Sequence, residues 1–329
     1  MLKLTHDLAT LPVEDLRKLT GEIGNTPVVR VRLPGVGNPV ALKLEGANPG
    51  ASSKDRPAHH ILAGLPPGTH VVDATSGNWG VSVAWLARAW DLRFTAVSDP
   101  RITPENLARL RRLGAALEIV EQRDETGGFL LTRIRRAREI ASARPRTIWL
   151  NQYGNPGNPE AHYRTTGPEL LEQMGGRLDV VFIPASTGGT LAGVGRYLRE
   201  HSPQTLLVAV DGAESSMFGC PVAGARLVNG LGSARPSELL ERNSYDYVVR
   251  ISAQAAFGYC RALAAAGVLV GGSSGAAVAA AAIELRGQPS ARALCLCPDH
   301  GDNYRSTVFD DGWLLANGLS LAEEALVLA

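Results

Sequence analysis

Lysine is nearly missing from this chain of 329 residues. Of 33 basic side chains only Lys3, Lys18, Lys43 and Lys54 are lysines, and none follows Lys54. Cysteine is as scarce. Cys220, Cys260, Cys295 and Cys297 lack zinc spacing, and Cys295-x-Cys297 alternates as buried strand residues do, which argues against a disulfide framework and for a reduced, cytoplasmic setting. Charge of one sign is absent too. A net charge of +1 supplies no basic field for nucleic acid or an anionic membrane. No apolar run approaches a membrane span, Met1–Thr20 lacks a signal-peptide core, and neither a fixed-period repeat nor a low-complexity linker is present. What is there is globular in composition, 45% hydrophobic and 20% charged, and long enough to require two lobes.

The sparse lysine gives Lys54 its interest. It sits in Asn48-Pro49-Gly50-Ala51-Ser52-Ser53-Lys54-Asp55-Arg56-Pro57, between a Pro-Gly turn and an expected helix start. Where bare charge suffices this chain uses arginine. A retained lysine is therefore a candidate for amine chemistry, which guanidinium cannot perform. An isolated loop lysine is more often a solvated charge; the motifs further along tell against that here.

Residues 1–20 read as a polar arm with a helix start at Pro12–Asp15. Strands are expected at Val28–Leu33 and Ala41–Leu44, then at His70–Asp73, Phe94–Val97, Leu117–Val120 and Thr147–Leu150. The beat continues with Val180–Pro184, Leu206–Val210, Tyr247–Ile251 and Arg292–Leu296. Helical patterns fill the gaps at 80–90, 103–113, 127–144, 160–174, 188–201, 253–266 and 275–285. Alternation of this kind predicts an α/β protein with mainly parallel, doubly wound sheets. The turn-rich Asn155-Pro156-Gly157-Asn158-Pro159 marks a lobe boundary.

Ligands in such folds sit where strands end and helices begin. Ala74-Thr75-Ser76-Gly77-Asn78 is such a point, suited to a carboxylate or simply an N-cap. Ser186-Thr187-Gly188-Gly189-Thr190 follows a strand and opens a helix, as a phosphate cradle does, without the lysine of a nucleotide loop. Gly271-Gly272-Ser273-Ser274-Gly275 contains the G-x-S-x-G of a hydrolase elbow. Its only downstream histidine, His300, adjoins Asp299 and so is poorly placed for a triad.

An amine, a carboxylate turn, a phosphate cradle and a neutral serine at a strand end together suit pyridoxal 5′-phosphate (PLP). At this point the chain resembles the fold-type II PLP enzymes of the cysteine synthase and cystathionine β-synthase group, which are tryptophan synthase β-like. The likeness runs from Ile23-Gly24-Asn25-Thr26-Pro27, through His162 and Thr165-Thr166-Gly167-Pro168-Glu169, to Phe309-Asp310-Asp311-Gly312-Trp313-Leu314. The resemblance implies a larger PLP-anchoring domain of residues 1–44 and 158–329, a smaller mobile domain of residues 45–157, and a homodimer. It implies that Lys54 binds the cofactor and shuttles a proton, that Asn78 meets its ring hydroxyl, and that Ser186, Thr187, Gly188, Gly189 and Thr190 hold its phosphate. Ser273 would face the pyridine nitrogen, and Thr75, Ser76, Gly77, Asn78 and Gln152 the substrate carboxylate.

Within the group, Asp99–Leu107, Gly127–Ile134 and Gly230–Pro236 look like the 2,3-diaminopropionate-pathway enzymes of siderophore and antibiotic biosynthesis. Those join O-phospho-L-serine to L-glutamate, giving N-(2-amino-2-carboxyethyl)-L-glutamate and phosphate. Sulfide needs no arginine, whereas glutamate and phosphoserine favour guanidinium forks, so Arg133, Ser233 and Arg235 join the substrate candidates. Two other readings stay open: a cysteine or cystathionine synthase using sulfide or homocysteine, and a catalytically idle paralogue with a binding role. Intact Lys54, Asn78 and Ser273 argue against the last.

Overall fold

The computed structural model describes residues 7–219, 226–288 and 290–320. Strands run β1 Val28–Val31, β2 Val40–Leu44, β3 His70–Ala74, β4 Arg93–Ser98, β5 Ala116–Ile119, β6 Thr147–Trp149, β7 Val180–Pro184, β8 Leu206–Gly212, β9 Tyr247–Ile251 and β10 Ala293–Cys297. The helices are α1 Val13–Leu19, α2 Asp55–Leu62, α3 Asn78–Ala89, α4 Pro104–Arg112, α5 Leu130–Ala143, α6 Gly157–Arg164, α7 Thr166–Gln173, α8 Gly189–His201, α9 Ala253–Ala265, α10 Gly272–Glu284 and α11 Asp311–Ala316.

The strands form two sheets. One has the order β1-β2-β10-β7-β8-β9, parallel except for β1 against β2; the other is β5-β4-β3-β6, parallel throughout. Parallel strands covered by helices on both faces need apolar residues facing both ways, and β2, β3, β7 and β10 are buried along their whole length. Apolar residues of β2, β7, β8 and β10 pack the larger sheet against α9 and α10 on one face and against α8 on the other. Trp79, Trp85 and Leu110 fill the core over the smaller sheet.

One expectation needs correction. The pattern over 160–174 is two helices, α6 and α7, with Thr165 between them at φ −126° and ψ −64°. Pro168 has no N–H to donate to the Arg164 carbonyl, so the first helix ends and a second starts. Cys220 lies outside the described residues; Cys260, Cys295 and Cys297 are free thiols in the interior. No helix among the described residues is long and apolar enough to cross a membrane.

The segment after β2 brings Lys54 to the carboxyl end of β10, in the middle of the larger sheet. Ser53 N–H donates to the Pro298 carbonyl over 2.7 Å and His300 N–H to the Ala51 carbonyl over 3.1 Å, so the Lys54 loop is laced to the turn after β10. Just beyond, Arg56 forks onto two carboxylates. Its Nε and Nη2 donate to Glu45 over 2.6 and 2.8 Å, and its Nη1 and Nη2 to Glu169 over 2.6 and 2.8 Å. Lys43 closes the cluster, donating to Glu169, Gln173 and the Thr26 carbonyl. Burial alone would raise the Glu45 pKa, but the Arg56 guanidinium holds it down to about 2. Removing one partner from such a cluster strands a buried charge, at a cost of about 3–5 kcal/mol.

Candidate active site

A cleft of about 230 Å³ opens where the ends of strands from both sheets meet helix starts. Lys54 lines it as the N-cap of α2. Burial lowers the pKa of its amine, an effect opposed by the charges of Asp299 and Glu45. Desolvation of this kind favours the neutral, nucleophilic amine. Thr75, Ser76, Gly77 and Asn78 line the wall where β3 turns into α3. Thr75 Oγ1 accepts from Gly80 N–H over 2.9 Å, which ties this turn to the first turn of α3. A helix start offers its unpaired amides, and the positive end of its dipole, to an anion.

Gln152 lies 5% exposed on the cleft floor. Its side-chain amide donates to the Ala74 carbonyl over 2.7 Å, and its backbone N–H to Asp73 Oδ2 over 3.0 Å. Asp73 also accepts from the indoles of Trp79 and Trp149 and from Ala74 N–H, so one buried carboxylate fixes floor and wall together.

The loop after β7 supplies Ser186 and Thr187 to the cleft, with Gly188, Gly189 and Thr190 behind them at the start of α8. Gly188 has φ +92°, a left-handed conformation, and a Cβ there would also strike Ser237 and Leu240. Asn158 braces the loop, donating to Thr187 Oγ1 over 3.3 Å and to the Gln152 carbonyl over 2.8 Å. Ser273 lines the cleft in the first turn of α10. Among the described residues no hydrogen bond joins it to His300, whose Nδ1 is 3.1 Å from Asp302, so the hydrolase elbow has no base. Asp299 faces the cleft beneath Gly271. Its Oδ2 accepts from Asn78 over 2.6 Å and from the Tyr304 hydroxyl, while Oδ1 is buried without a partner.

Arg133 and Ser233 line the cleft, and Arg133 Nε lies 3.2 Å from Asp99. Arg135 and Arg138, on the same helix, line a separate groove. Arg235 is not brought to the cleft. Its guanidinium is paired with Glu238 and lies 5.7 Å from the centroid of the Tyr153 ring, so the short Gly232-to-Pro236 loop aims it along the surface. Sequence reasoning missed Arg101, Tyr153, Arg226 and Asp299, all in the cleft wall. Asp299 follows a strand end, a signal that was legible; the others become neighbours only through tertiary packing.

The residues fit PLP. A desolvated lysine, an oxyanion loop that tolerates no side chain at Gly188, and an unpartnered carboxylate oxygen converge on one polar cleft. The sequence profile of the family "Pyridoxal-phosphate dependent enzyme" matches residues 19–299. The chain is 40% identical over 317 residues to an N-(2-amino-2-carboxyethyl)-L-glutamate synthase of Ralstonia nicotianae, covering 93% of this chain and 94% of that protein. It is 43% identical over 305 residues to a protein of the same name from Cupriavidus metallidurans, with 89% of each covered. Among solved structures it resembles an O-ureido-L-serine synthase, with TM-score 0.81 and 32% identity over 90% of this chain and 98% of that one. It is also similar to an O-acetylserine dependent cystathionine beta-synthase from Helicobacter pylori, with TM-score 0.82 and 30% identity over 88% of this chain and 97% of that one.

Proposed function

Because the chain belongs to the pyridoxal-phosphate dependent enzyme family, we propose that it is a β-replacement synthase. It joins O-phospho-L-serine to L-glutamate, giving N-(2-amino-2-carboxyethyl)-L-glutamate and inorganic phosphate. The observation that carries this reading is the guanidinium-rich cleft wall, with Arg133 inside, in a chain more than two-fifths identical to a synthase of that name. A sulfhydrylase needs no arginine for its nucleophile, since sulfide bears no carboxylate.

Bound in the cleft, PLP supplies the electron sink that lets a serine derivative lose its β-substituent and accept a nucleophile at the β-carbon. Lys54 Nζ would anchor the cofactor, and its amine is the group that would take the donor's α-proton. The Thr75–Asn78 turn and Gln152 orient the donor's carboxylate. Ser186 to Thr190 hold the cofactor phosphate. Ser273 would offer an uncharged hydroxyl to the cofactor's ring nitrogen, which would temper the electron sink and suit elimination over transamination. The β-carbon–oxygen bond breaks to release phosphate, and the glutamate α-amine forms the new carbon–nitrogen bond with loss of a proton. The segment carrying β3 to β6 closes over the substrates, and two copies pair as a dimer.

The test is product analysis. Holoenzyme given O-phospho-L-serine and L-glutamate should release phosphate and form the carbon–nitrogen adduct, identified by mass spectrometry. Efficient cysteine formation from O-acetylserine and sulfide, with no glutamate adduct, sinks the reading.

A further inference from the structure

Among the described residues, two guanidiniums in the cleft wall make no ion pair. Arg133 is 8% exposed and has Asp99 beside it. Arg101 and Arg226 are exposed towards the cleft opening, and among the described residues no carboxylate is in ion-pair contact with either. Arg101 follows β4 through Asp99-Pro100, and its guanidinium carbon lies 5.3 Å from the centroid of the Phe129 ring. Arg226 lines the cleft with Val228 and Asn229. Partial desolvation at the cleft lowers the pKa of Arg226 although its side chain reaches solvent, and the charges of Arg101 and Arg133 act in the same direction, against Tyr153 and Asp211. Three like charges thus share one wall, with Asp99 in contact with Arg133 and Asp211 acting on Arg226 without an ion-pair contact. An anion seated there relieves their repulsion.

We propose that Arg101 and Arg226 form the subsite for the side-chain carboxylate of the incoming amino acid. This rests on the glutamate reading above and deepens it. The donor's α-carboxylate has the α3 turn, and the cofactor phosphate has the α8 loop, so neither needs this wall. The donor's own phosphate sits on the β-carbon, next to the reacting centre, where only the inner Arg133 is buried. Glutamate differs: its γ-carboxylate extends away from the attacking amine by several bonds. The exposed outer pair meets that geometry, and two planar forks can grip both carboxylate oxygens. A nucleophile without a second carboxylate gains nothing from the pair, so these residues set specificity.

The test varies L-glutamate at saturating O-phospho-L-serine. Arg101→Ala and Arg226→Ala should each raise KM for glutamate about ten- to a hundredfold, leaving KM for the donor in place. Arg226→Lys should recover part of the loss, since charge remains and the fork does not. Arg123→Ala is the control, because Arg123 also lies over Phe129, 5.1 Å from its centroid, but outside the cleft wall. Calorimetric titration of the holoenzyme with glutarate, a dicarboxylate without an amine, reads the subsite without turnover. Glutarate should bind the native protein and be lost from Arg101→Ala/Arg226→Ala. Unchanged glutarate binding, or a KM effect confined to the phosphoserine donor, overturns the proposal. If the native enzyme forms no adduct with glutamate, the functional reading fails, and the glutarate titration alone then decides for or against the subsite.

Discussion

Asn303 donates its side-chain amide to Asn78 Oδ1 over 3.0 Å and so fixes which way the Asn78 amide faces. Arg109 Nη1 donates to Asn303 Oδ1 over 2.6 Å. A guanidinium carries only donors, so Asn303 must turn its carbonyl to Arg109 and its N–H to Asn78. Asn78 in turn donates to Asp299 Oδ2 over 2.6 Å, beside the Tyr304 hydroxyl. Arg109 lies on α4 beside the smaller sheet, and Asn303 follows β10 of the larger, so the orientation is set from both sides.

Asn303→Asp tests this relay. A carboxylate accepts from Arg109 but cannot donate to Asn78, whose amide then loses its support. The visible band of the bound cofactor should shift, and PLP should dissociate about three- to tenfold more readily, the range of one lost hydrogen bond. Fluorescence titration of the apoprotein with PLP gives the constant. An unmoved band and constant would mean that the backbone alone holds Asn78.

Lys54 should carry the cofactor. Lys54→Ala should lose the visible band of lysine-bound PLP, and borohydride reduction of the native protein should place the label on the Lys54 peptide. Lys43 is no rival, since its Nζ is buried against Glu169, Gln173 and the Thr26 carbonyl. A label on Lys3, Lys18 or Lys43 would refute the assignment.

Much of this site was legible because strand ends in a parallel α/β protein coincide with turn residues in the sequence. The α3 turn, the α8 loop and Ser273 could be read from their glycine and hydroxyl spacing after apolar runs. The failures share a cause. Arg235 sits in a glycine-rich loop, which looked inviting, yet Glu238 three residues on supplies its counter-ion at the surface. Arg226 sits only nine residues earlier, and its proximity to Arg101 and Arg133 arises from packing between segments far apart in sequence. The α6–α7 break was visible in Pro168, but apolar periodicity alone hid it.

Ser273 should tune the cofactor rather than attack a substrate. It stands at the positive end of α10, a 13-residue helix, where a cationic ring nitrogen is disfavoured. Ser273→Ala should keep PLP and measurable turnover, whereas loss of a true nucleophile costs several orders of magnitude. Ser273→Asp should perturb the visible spectrum, because a carboxylate stabilises the protonated ring. Covalent labelling of Ser273 by a fluorophosphonate would revive the hydrolase reading.

Acid should draw on buried groups of this protein that shift in both directions, with His162 and Glu45 losing stability and Asp73 offsetting part of it. His162 lies between Thr166 Oγ1 at 2.8 Å and Thr190 Oγ1 at 3.1 Å, and burial, with the charges of Lys54 and Arg56, holds its pKa down to about 3. An unfolded histidine takes up its proton near pH 6.5, within a range where the folded one stays neutral. The unfolded state therefore binds the extra proton between those values, and stability is lost as pH falls through them. The slope reaches at most about 1.4 kcal/mol per pH unit for one proton. Glu45, depressed from 4.5 to about 2 by Arg56, adds a second loss in the same direction at lower pH. Asp73, which burial raises to about 6, takes up its proton in the folded state and offsets part of the loss between about pH 6 and 3.8. The thermal midpoint, followed by circular dichroism, should therefore begin to decline below about pH 6.5 and fall more steeply below about 3.8. His162→Gln cannot titrate, so it should flatten the upper decline while leaving the lower one in place. A variant with the same upper slope as the native protein would assign that loss to other groups.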